Sequence, residues 1–95
     1  LMDSTSISHT GLVQHAKSLA TKRKIKYQME ILPRGGTDAG AMQRIRSGVP
    51  VVTFSIPTRY IHTSVELVNK KDVQGAIKLL AAFLEEGQKA DLSFV

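Results

Sequence analysis

Apolar positions along the first third of the chain follow two different periods. Residues 11–23 carry apolar side chains at helical spacing, which predicts an amphipathic helix with Thr10 as its N-cap. Residues 25–32 instead alternate apolar and polar side chains, which predicts a half-exposed strand near a sheet edge that ends at Pro33. The predicted inward face of the helix consists of Leu12, Val13, Ala16, Leu19 and Ala20.

The remaining two thirds predict two more helices and two more strands. A short helix over 38–47, capped by Thr37 or Asp38, turns Met42 and Ile45 inward and stops at Gly48. Residues 49–56 are almost continuously apolar, which predicts a strand covered on both faces, and residues 65–68 predict a short strand. The last helix spans 72–86 and its apolar stripe is Val73, Ala76, Ile77, Leu80, Phe83 and Leu84.

This order of elements indicates an α/β layered fold. Strand 25–32, helix 38–47 and strand 49–56 form a βαβ unit, whose crossover is expected to be right-handed. Three strands make only a small sheet, and the continuously apolar strand needs a neighbour on each side. Leu1 is also not an ordinary translation start. Both observations predict that the chain is a piece of a larger domain.

Composition narrows the classes of function. The chain has 95 residues, no cysteine and no tryptophan, and its formal net charge is +5. The absence of cysteine excludes disulfides, thiolate zinc sites and cysteine nucleophiles within it. No apolar run reaches the roughly 20 residues of a membrane span, and no signal peptide is visible. The densest basic run, residues 22–26, suits either a helix C-terminus or an anion-binding patch.

Two loops are candidates for chemistry because each follows a predicted strand. The glycine loop (residues 33–40) places Gly35 and Gly36 before a helix start, where it forms either a tight turn or an anion-binding site. The histidine loop (residues 57–63) offers His62, either as a structural histidine or as a metal ligand, beside Arg59 and Tyr60. If the strands are parallel, both loops lie at the same edge of the sheet.

The other titratable residues supply no complete catalytic set. His9 and His15 are predicted to be surface residues, and Glu85 and Glu86 are predicted to be solvated. A zinc site needs three or four protein ligands, and His62 has no companion at a useful spacing. The chain alone is therefore expected to be inactive.

Five stretches match a known family. They are Gly-Gly-Thr-Asp-Ala-Gly-Ala (35–41), Gly-Val-Pro (48–50), Ser-Ile-Pro (55–57), Arg-Tyr-Ile-His-Thr-Ser-Val-Glu (59–66) and the helix at 72–84. With these, nearly the whole chain resembles the C-terminal part of the dinuclear-metal aminopeptidases, peptidase family forty-two. That family includes glutamyl and deblocking aminopeptidases, and some members carry the label endoglucanase or cellulase.

The resemblance implies a fold and a reaction. It implies that residues 1–95 are the C-terminal portion of a three-layer αβα catalytic domain, the rest of which, with an inserted β domain, lies upstream. It implies two zinc or cobalt ions, of whose ligands only a histidine maps here, onto His62, and a substrate-side loop that maps onto Gly36 and Thr37. Peptide substrates, a cytoplasmic location and a homo-oligomer, often a dodecamer, are also implied, without membrane or nucleic-acid partners.

Two alternatives remain open at this point. The positive charge also suits a non-catalytic module that binds an anionic ligand or nucleic acid, which salt-dependent DNA binding would reveal. A glucanase, as some family labels state, normally needs two carboxylates flanking the scissile bond. The two loops contain one acid, Asp38, which is explained as a helix cap.

Overall fold

The computed structural model describes residues 1, 4–90 and 92, and within these ranges it contains helices and one small sheet. The two strands pair antiparallel, with Thr58 opposite Val68 and Arg59 opposite Leu67. No helix in these ranges is both long and apolar enough to cross a bilayer. The elements are α1 (Thr10–Lys22), α2 (Asp38–Gln43), β1 (Thr58–Arg59), β2 (Leu67–Val68), α3 (Lys70–Glu85) and a 3₁₀ turn (Gly87–Lys89).

Helix α1 is capped by His9 rather than by Thr10. The Nδ1 atom of His9 accepts a hydrogen bond from the backbone N–H of Gly11 at 3.1 Å. An imidazole nitrogen thus replaces the side-chain oxygen that usually accepts this capping hydrogen bond. The Nε2 atom lies 3.1 Å from the carbonyl oxygen of Leu92. His9 is only 6% exposed, and the prediction of a surface residue is wrong because the lead-in folds onto the chain.

The core lies between α1 and α3 and is built from small side chains. Its buried apolar residues are Ala16, Leu19, Ala20, Val51 and Ala82. Beside them, the ring of Phe83 meets the ring of Phe54 edge-on, with centroids 5.2 Å apart. The ring of His15 lies 5.4 Å from the same Phe83 ring. His15 is half-buried, so the prediction that it is a surface residue is also wrong.

Helix α3 begins two residues before the predicted Asp72. The side chain of Asn69 accepts a hydrogen bond from the backbone N–H of Lys71 at 2.8 Å and caps the helix there. Only part of the predicted apolar stripe is covered. Ile77 is 62% exposed and Leu84 is 71% exposed.

Helix α2 is shorter than predicted and ends at Gln43. The carbonyl oxygen of Gln43 accepts a hydrogen bond from the backbone N–H of Val49 at 3.1 Å, which closes a turn at the point where the helix was expected to continue. Gly48 lies in that turn with φ of 103°, as predicted for a stop. Met42 and Ile45 are about half exposed rather than turned inward.

Glu86 is not simply solvated as predicted. Its carboxylate pairs with the Arg23 guanidinium at 3.3 Å and with the Lys89 ammonium at 3.0 Å. The pKa of Glu86 is lowered from its ordinary value of 4.5, first by the hydrogen bond from Lys89. Part of the basic run at the end of α1 therefore meets an acid that caps the C-terminus of α3.

Residues 25–32 and 49–56 form no strand ladder within the described part of the chain, although Ile31 is a single bridge position. A segment forms a strand only when its backbone is hydrogen-bonded to a neighbouring strand. Neither segment has such a neighbour along its whole length among the described residues. The accessible surface is 7425 Å², against roughly 5,400 Å² for a folded protein of this mass. The right-handed βαβ unit and the three layers stay predictions.

Candidate active site

The histidine loop (residues 57–63) includes β1 at Thr58–Arg59, and its residues 60–63 begin the connection from β1 to β2. Tyr60 and His62 have φ of 60° and 62°. For residues with a Cβ atom this left-handed conformation is uncommon, and for a bulky side chain it is an outlier. Strained backbone conformations cluster at functional sites, where the surrounding structure holds them in place. Lys24 and Arg46 have similar positive φ values, so the backbone conformation by itself does not assign a function to this loop.

Glu66 holds the strained backbone of this loop. Its Oε1 atom accepts a hydrogen bond from the backbone N–H of His62 at 2.7 Å. The hydroxyl of Thr63 lies within hydrogen-bond distance of the carbonyl oxygens of Tyr60 and Val65, which share its single proton. Glu66 has no role predicted from the sequence, although it lies four residues after His62 within the matched stretch 59–66. The Glu66 carboxylate therefore helps to fix the backbone at His62.

The imidazole of His62 is available for binding. The residue is exposed, and neither ring nitrogen makes a hydrogen bond to any residue that the structure describes. Neutral imidazole is the commonest metal ligand in proteins. The described residues nevertheless contain no group of three or more His, Cys, Asp or Glu that could hold a metal ion. His62 can supply one ligand, and a metal site would need others from outside these residues.

The glycine loop (residues 33–40) is packed against the lead-in. A Cβ atom on Gly36 would lie 2.7 Å from the Thr5 side chain, and one on Gly40 would lie 2.8 Å from Thr5 Cβ. The carbonyl oxygen of Gly35, which has φ of 90°, accepts a hydrogen bond from the backbone N–H of Ser4 at 3.3 Å. Close approach of another segment therefore explains these glycines, a reason that the sequence left open.

Of the two predicted caps, Thr37 is the N-cap residue of α2 and Asp38 is the first residue of the helix, so the explanation of Asp38 as the cap is wrong; the Thr37 side chain makes no capping hydrogen bond. Its carbonyl oxygen accepts from the backbone N–H of Gly40 at 3.1 Å. The described hydrogen bonds of the glycine loop include those to the lead-in, and those of the histidine loop include bonds to Ile56, Val65 and Glu66. None joins the two loops, so their predicted convergence at one sheet edge stays a prediction.

Comparison with known proteins identifies the class of protein that carries these loops. Residues 1–79 match the profile of the M42 glutamyl aminopeptidases. The chain therefore belongs to the M42 glutamyl aminopeptidase family. The matched range contains both loops and Glu66, and the resemblance proposed from the sequence motifs is confirmed.

Individual relatives are similar over most of this chain. It is 46% identical over 83 residues to a lysyl aminopeptidase of Pyrococcus furiosus, and the match covers 86% of this chain and 24% of the relative. It is 37% identical over 78 residues to a putative aminopeptidase of Acetivibrio thermocellus, covering 82% of this chain and 24% of that one.

A solved structure shares the fold of the chain. An aminopeptidase from the archaeon Desulfurococcus kamchatkensis superposes with a TM-score of 0.85 at 37% sequence identity, covering 90% of this chain and 25% of that one. The chain thus spans about a quarter of the length of the relatives it matches. The α-helices and small sheet described above are the corresponding part of an aminopeptidase structure.

Proposed function

We propose that the complete protein is a metal-dependent aminopeptidase and that residues 1–95 are the C-terminal portion of its three-layer αβα catalytic domain. The observation that carries the proposal is the His62 side chain, an exposed imidazole with both ring nitrogens unpaired in the described part of the chain. It lies on a strained loop that Glu66 holds in place. The family match supports the reaction class.

In this proposal each loop has a separate task. His62 supplies one neutral ligand to a pair of zinc or cobalt ions, and Glu66 orients the loop by accepting the His62 backbone N–H. Gly36 and Thr37 lie beside the peptide substrate. Bound at such a site, the metal ions would supply Lewis acidity to a water molecule and to the scissile carbonyl group. The other ligands belong to the remaining three quarters of the protein, and the isolated 95-residue chain is expected to release no amino acid.

The proposal is tested by metal content as well as by turnover. In the complete protein, His62→Ala should lower bound zinc or cobalt by about one ion per subunit. It should also lower turnover of a peptide with a free N-terminus at least ~100-fold, because loss of a residue that merely supports a metal ligand already costs about 10–100-fold. Ile61→Ala removes a neighbouring exposed side chain and serves as the matched control. Two metal ions and ordinary turnover in the His62→Ala protein would refute the assignment.

The same assay tests the reaction class. A peptide with a free N-terminus should be cleaved from that end, while the same peptide with an acetylated N-terminus should stay intact. Cleavage of the acetylated peptide at an internal bond would contradict an aminopeptidase.

A further inference from the structure

Two side chains in the connection from β1 to β2 fix the backbone on either side of His62. The Glu66 carboxylate accepts a hydrogen bond from the His62 backbone N–H at 2.7 Å. The Thr63 hydroxyl lies within hydrogen-bond distance of the carbonyl oxygens of Tyr60 and Val65. We propose that Thr63 acts together with Glu66 as a positioning residue of the metal site, and that the pair holds His62 as a ligand before an ion binds. This role rests on the proposed function of His62 and extends it to Thr63.

Side chains rather than backbone hydrogen bonds hold this part of the connection. Outside the β1–β2 ladder, no backbone–backbone hydrogen bond of residues 60–66 occurs in the described part of the chain. These residues are exposed, so water competes for their N–H and C=O groups, and ordering their backbone costs conformational entropy. The hydrogen bonds of Thr63 and Glu66 are therefore the contacts that stabilise the observed conformation.

Backbone hydrogen bonds explain the other positive φ values of residues with a Cβ atom. Lys24, with φ of 56°, follows the end of α1, where the N–H of Ile25 donates to the carbonyl oxygen of Ala20 at 2.8 Å. This is an ordinary way for a helix to end. Arg46, with φ of 54°, lies in the backbone-closed turn that follows α2. The histidine loop follows no helix, and side chains supply its hydrogen bonds instead.

The two side chains fix consecutive peptide units that lead into His62. Histidine enters the left-handed region more often than most residues, whereas a bulky residue such as Tyr60, with φ of 60°, is an outlier there. Thr63 contacts the carbonyl oxygen of the peptide unit that follows Tyr60. Glu66 accepts from the N–H of the next peptide unit, which is that of His62. Because the backbone at Cα sets the direction of the Cα–Cβ bond, these contacts aim the imidazole.

An aimed ligand binds an ion more tightly than a mobile one. A group that is already ordered loses less conformational freedom on binding, so more of the interaction energy appears as affinity. Thr63 and Glu66 act on the backbone, and neither ring nitrogen of His62 makes a hydrogen bond to a described residue. Both nitrogens stay available to an ion. The pair should therefore raise the affinity for the ion that His62 binds and leave the other ion of the site nearly unaffected.

Zinc titration of the complete protein, after removal of its metal with a chelator, tests the role of Thr63. Thr63→Val keeps the shape of the side chain but removes the hydroxyl, and it should weaken the binding of one zinc ion about 10–100-fold. Thr63→Ser keeps the hydroxyl and should bind both ions nearly as tightly as the unchanged protein. Ser64→Ala is the matched control, because the Ser64 hydroxyl makes no hydrogen bond to a described residue.

The same titration tests Glu66 with a second pair of variants. Glu66→Met removes the acceptor of the His62 N–H and should weaken one zinc ion, while Glu66→Gln keeps an acceptor oxygen and should bind both ions. Excess zinc should restore turnover in Thr63→Val and Glu66→Met, because a positioning defect lowers occupancy of the site. Turnover that stays low at saturating zinc would contradict the positioning role.

The remaining outcomes separate this role from the proposed function. If His62→Ala keeps both ions, the proposed function itself fails. If His62→Ala loses one ion while Thr63→Val and Glu66→Met bind both as tightly as the unchanged protein, only the positioning role fails. Equal losses in Thr63→Val and Ser64→Ala would also overturn it. Circular dichroism reports whether each variant is folded, and if Thr63→Val is not, the comparison of Glu66→Met with Glu66→Gln decides.

Discussion

Gly40 faces Thr5 at a distance that leaves no space for a side chain. A Cβ atom on Gly40 would lie 2.8 Å from Thr5 Cβ and 3.2 Å from the Thr5 carbonyl oxygen. That carbonyl also accepts a hydrogen bond from the Arg44 guanidinium at 2.9 Å, so the lead-in cannot move away without loss. The contact fixes α2 and the glycine loop against the start of the chain.

Gly40→Ala should therefore destabilise the chain, although alanine is the better helix former. Overpacking costs about 1–3 kcal/mol, and the gain in helix propensity returns less than about 1 kcal/mol. Gly87→Ala is the matched control, because a Cβ atom there meets nothing within 4 Å, and it should change stability by less than about 0.5 kcal/mol. Urea unfolding gives the free energy of unfolding of both variants. Equal stabilities would show that Thr5 moves aside at no cost.

A double-mutant cycle can measure the interaction between residue 36 and Thr5. Gly36→Ala should destabilise by about 1–3 kcal/mol, since its Cβ would meet the Thr5 methyl and hydroxyl groups. Thr5→Ala removes those two groups, so the double variant should regain much of the loss, measured as a coupling energy of at least about 0.5 kcal/mol. Strict additivity of the two single changes would exclude a direct clash.

The His9 cap predicts an order among substitutions at that position. His9→Ala removes the acceptor for the Gly11 N–H and should cost about 1 kcal/mol of stability. His9→Asn restores a strong N-cap acceptor and should regain part of this loss, while the contact with Leu92 stays absent. Circular dichroism during urea unfolding reports both values. If the Asn variant is no more stable than the Ala variant, capping is not the role of this imidazole.

Glu86 predicts a specific dependence of stability on pH. Its pKa in the folded chain is lowered, chiefly by the hydrogen bond from Lys89. Its stabilising contribution is therefore present above the ordinary value of 4.5 and is lost as pH falls through the lowered folded-state pKa. Glu86→Gln should flatten the acid limb of a plot of unfolding free energy against pH.

The control for that experiment is Glu85→Gln. Glu85 lies 3.9 Å from the Arg23 guanidinium and its side chain is 69% exposed, so its loss should leave the acid limb nearly unchanged. The same flattening in both variants would mean that the slope reflects overall charge rather than the Glu86 pairs.

Phe83 is expected to contribute more to stability than its neighbour Leu84. Phe83 contacts the rings of Phe54 and His15, whereas Leu84 is mostly exposed. Phe83→Ala should cost about 2–3 kcal/mol, somewhat less than a fully buried phenylalanine, and Leu84→Ala less than about 0.5 kcal/mol. Thermal and urea unfolding give both values. A larger cost for Leu84→Ala would show that its face is covered in solution.

Sequence patterns alone predicted the elements that depend on residues adjacent in the chain. Three helices were predicted at the observed places, with ends displaced by up to four residues, because helical spacing and caps are properties of consecutive residues. The motifs 35–41 and 59–66 identified the family, which the profile match to residues 1–79 confirms. They also singled out His62, whose role stays a proposal.

Tertiary structure decided what depends on distant residues. Only the folded chain shows that His9 is buried with its ring against the Leu92 carbonyl oxygen, and that Thr5 excludes side chains from Gly36 and Gly40. Each of these contacts joins atoms whose approach no periodicity encodes. The strands at 25–32 and 49–56 show the same limit, because the sequence specifies their composition but a ladder forms only when a partner strand lies beside them.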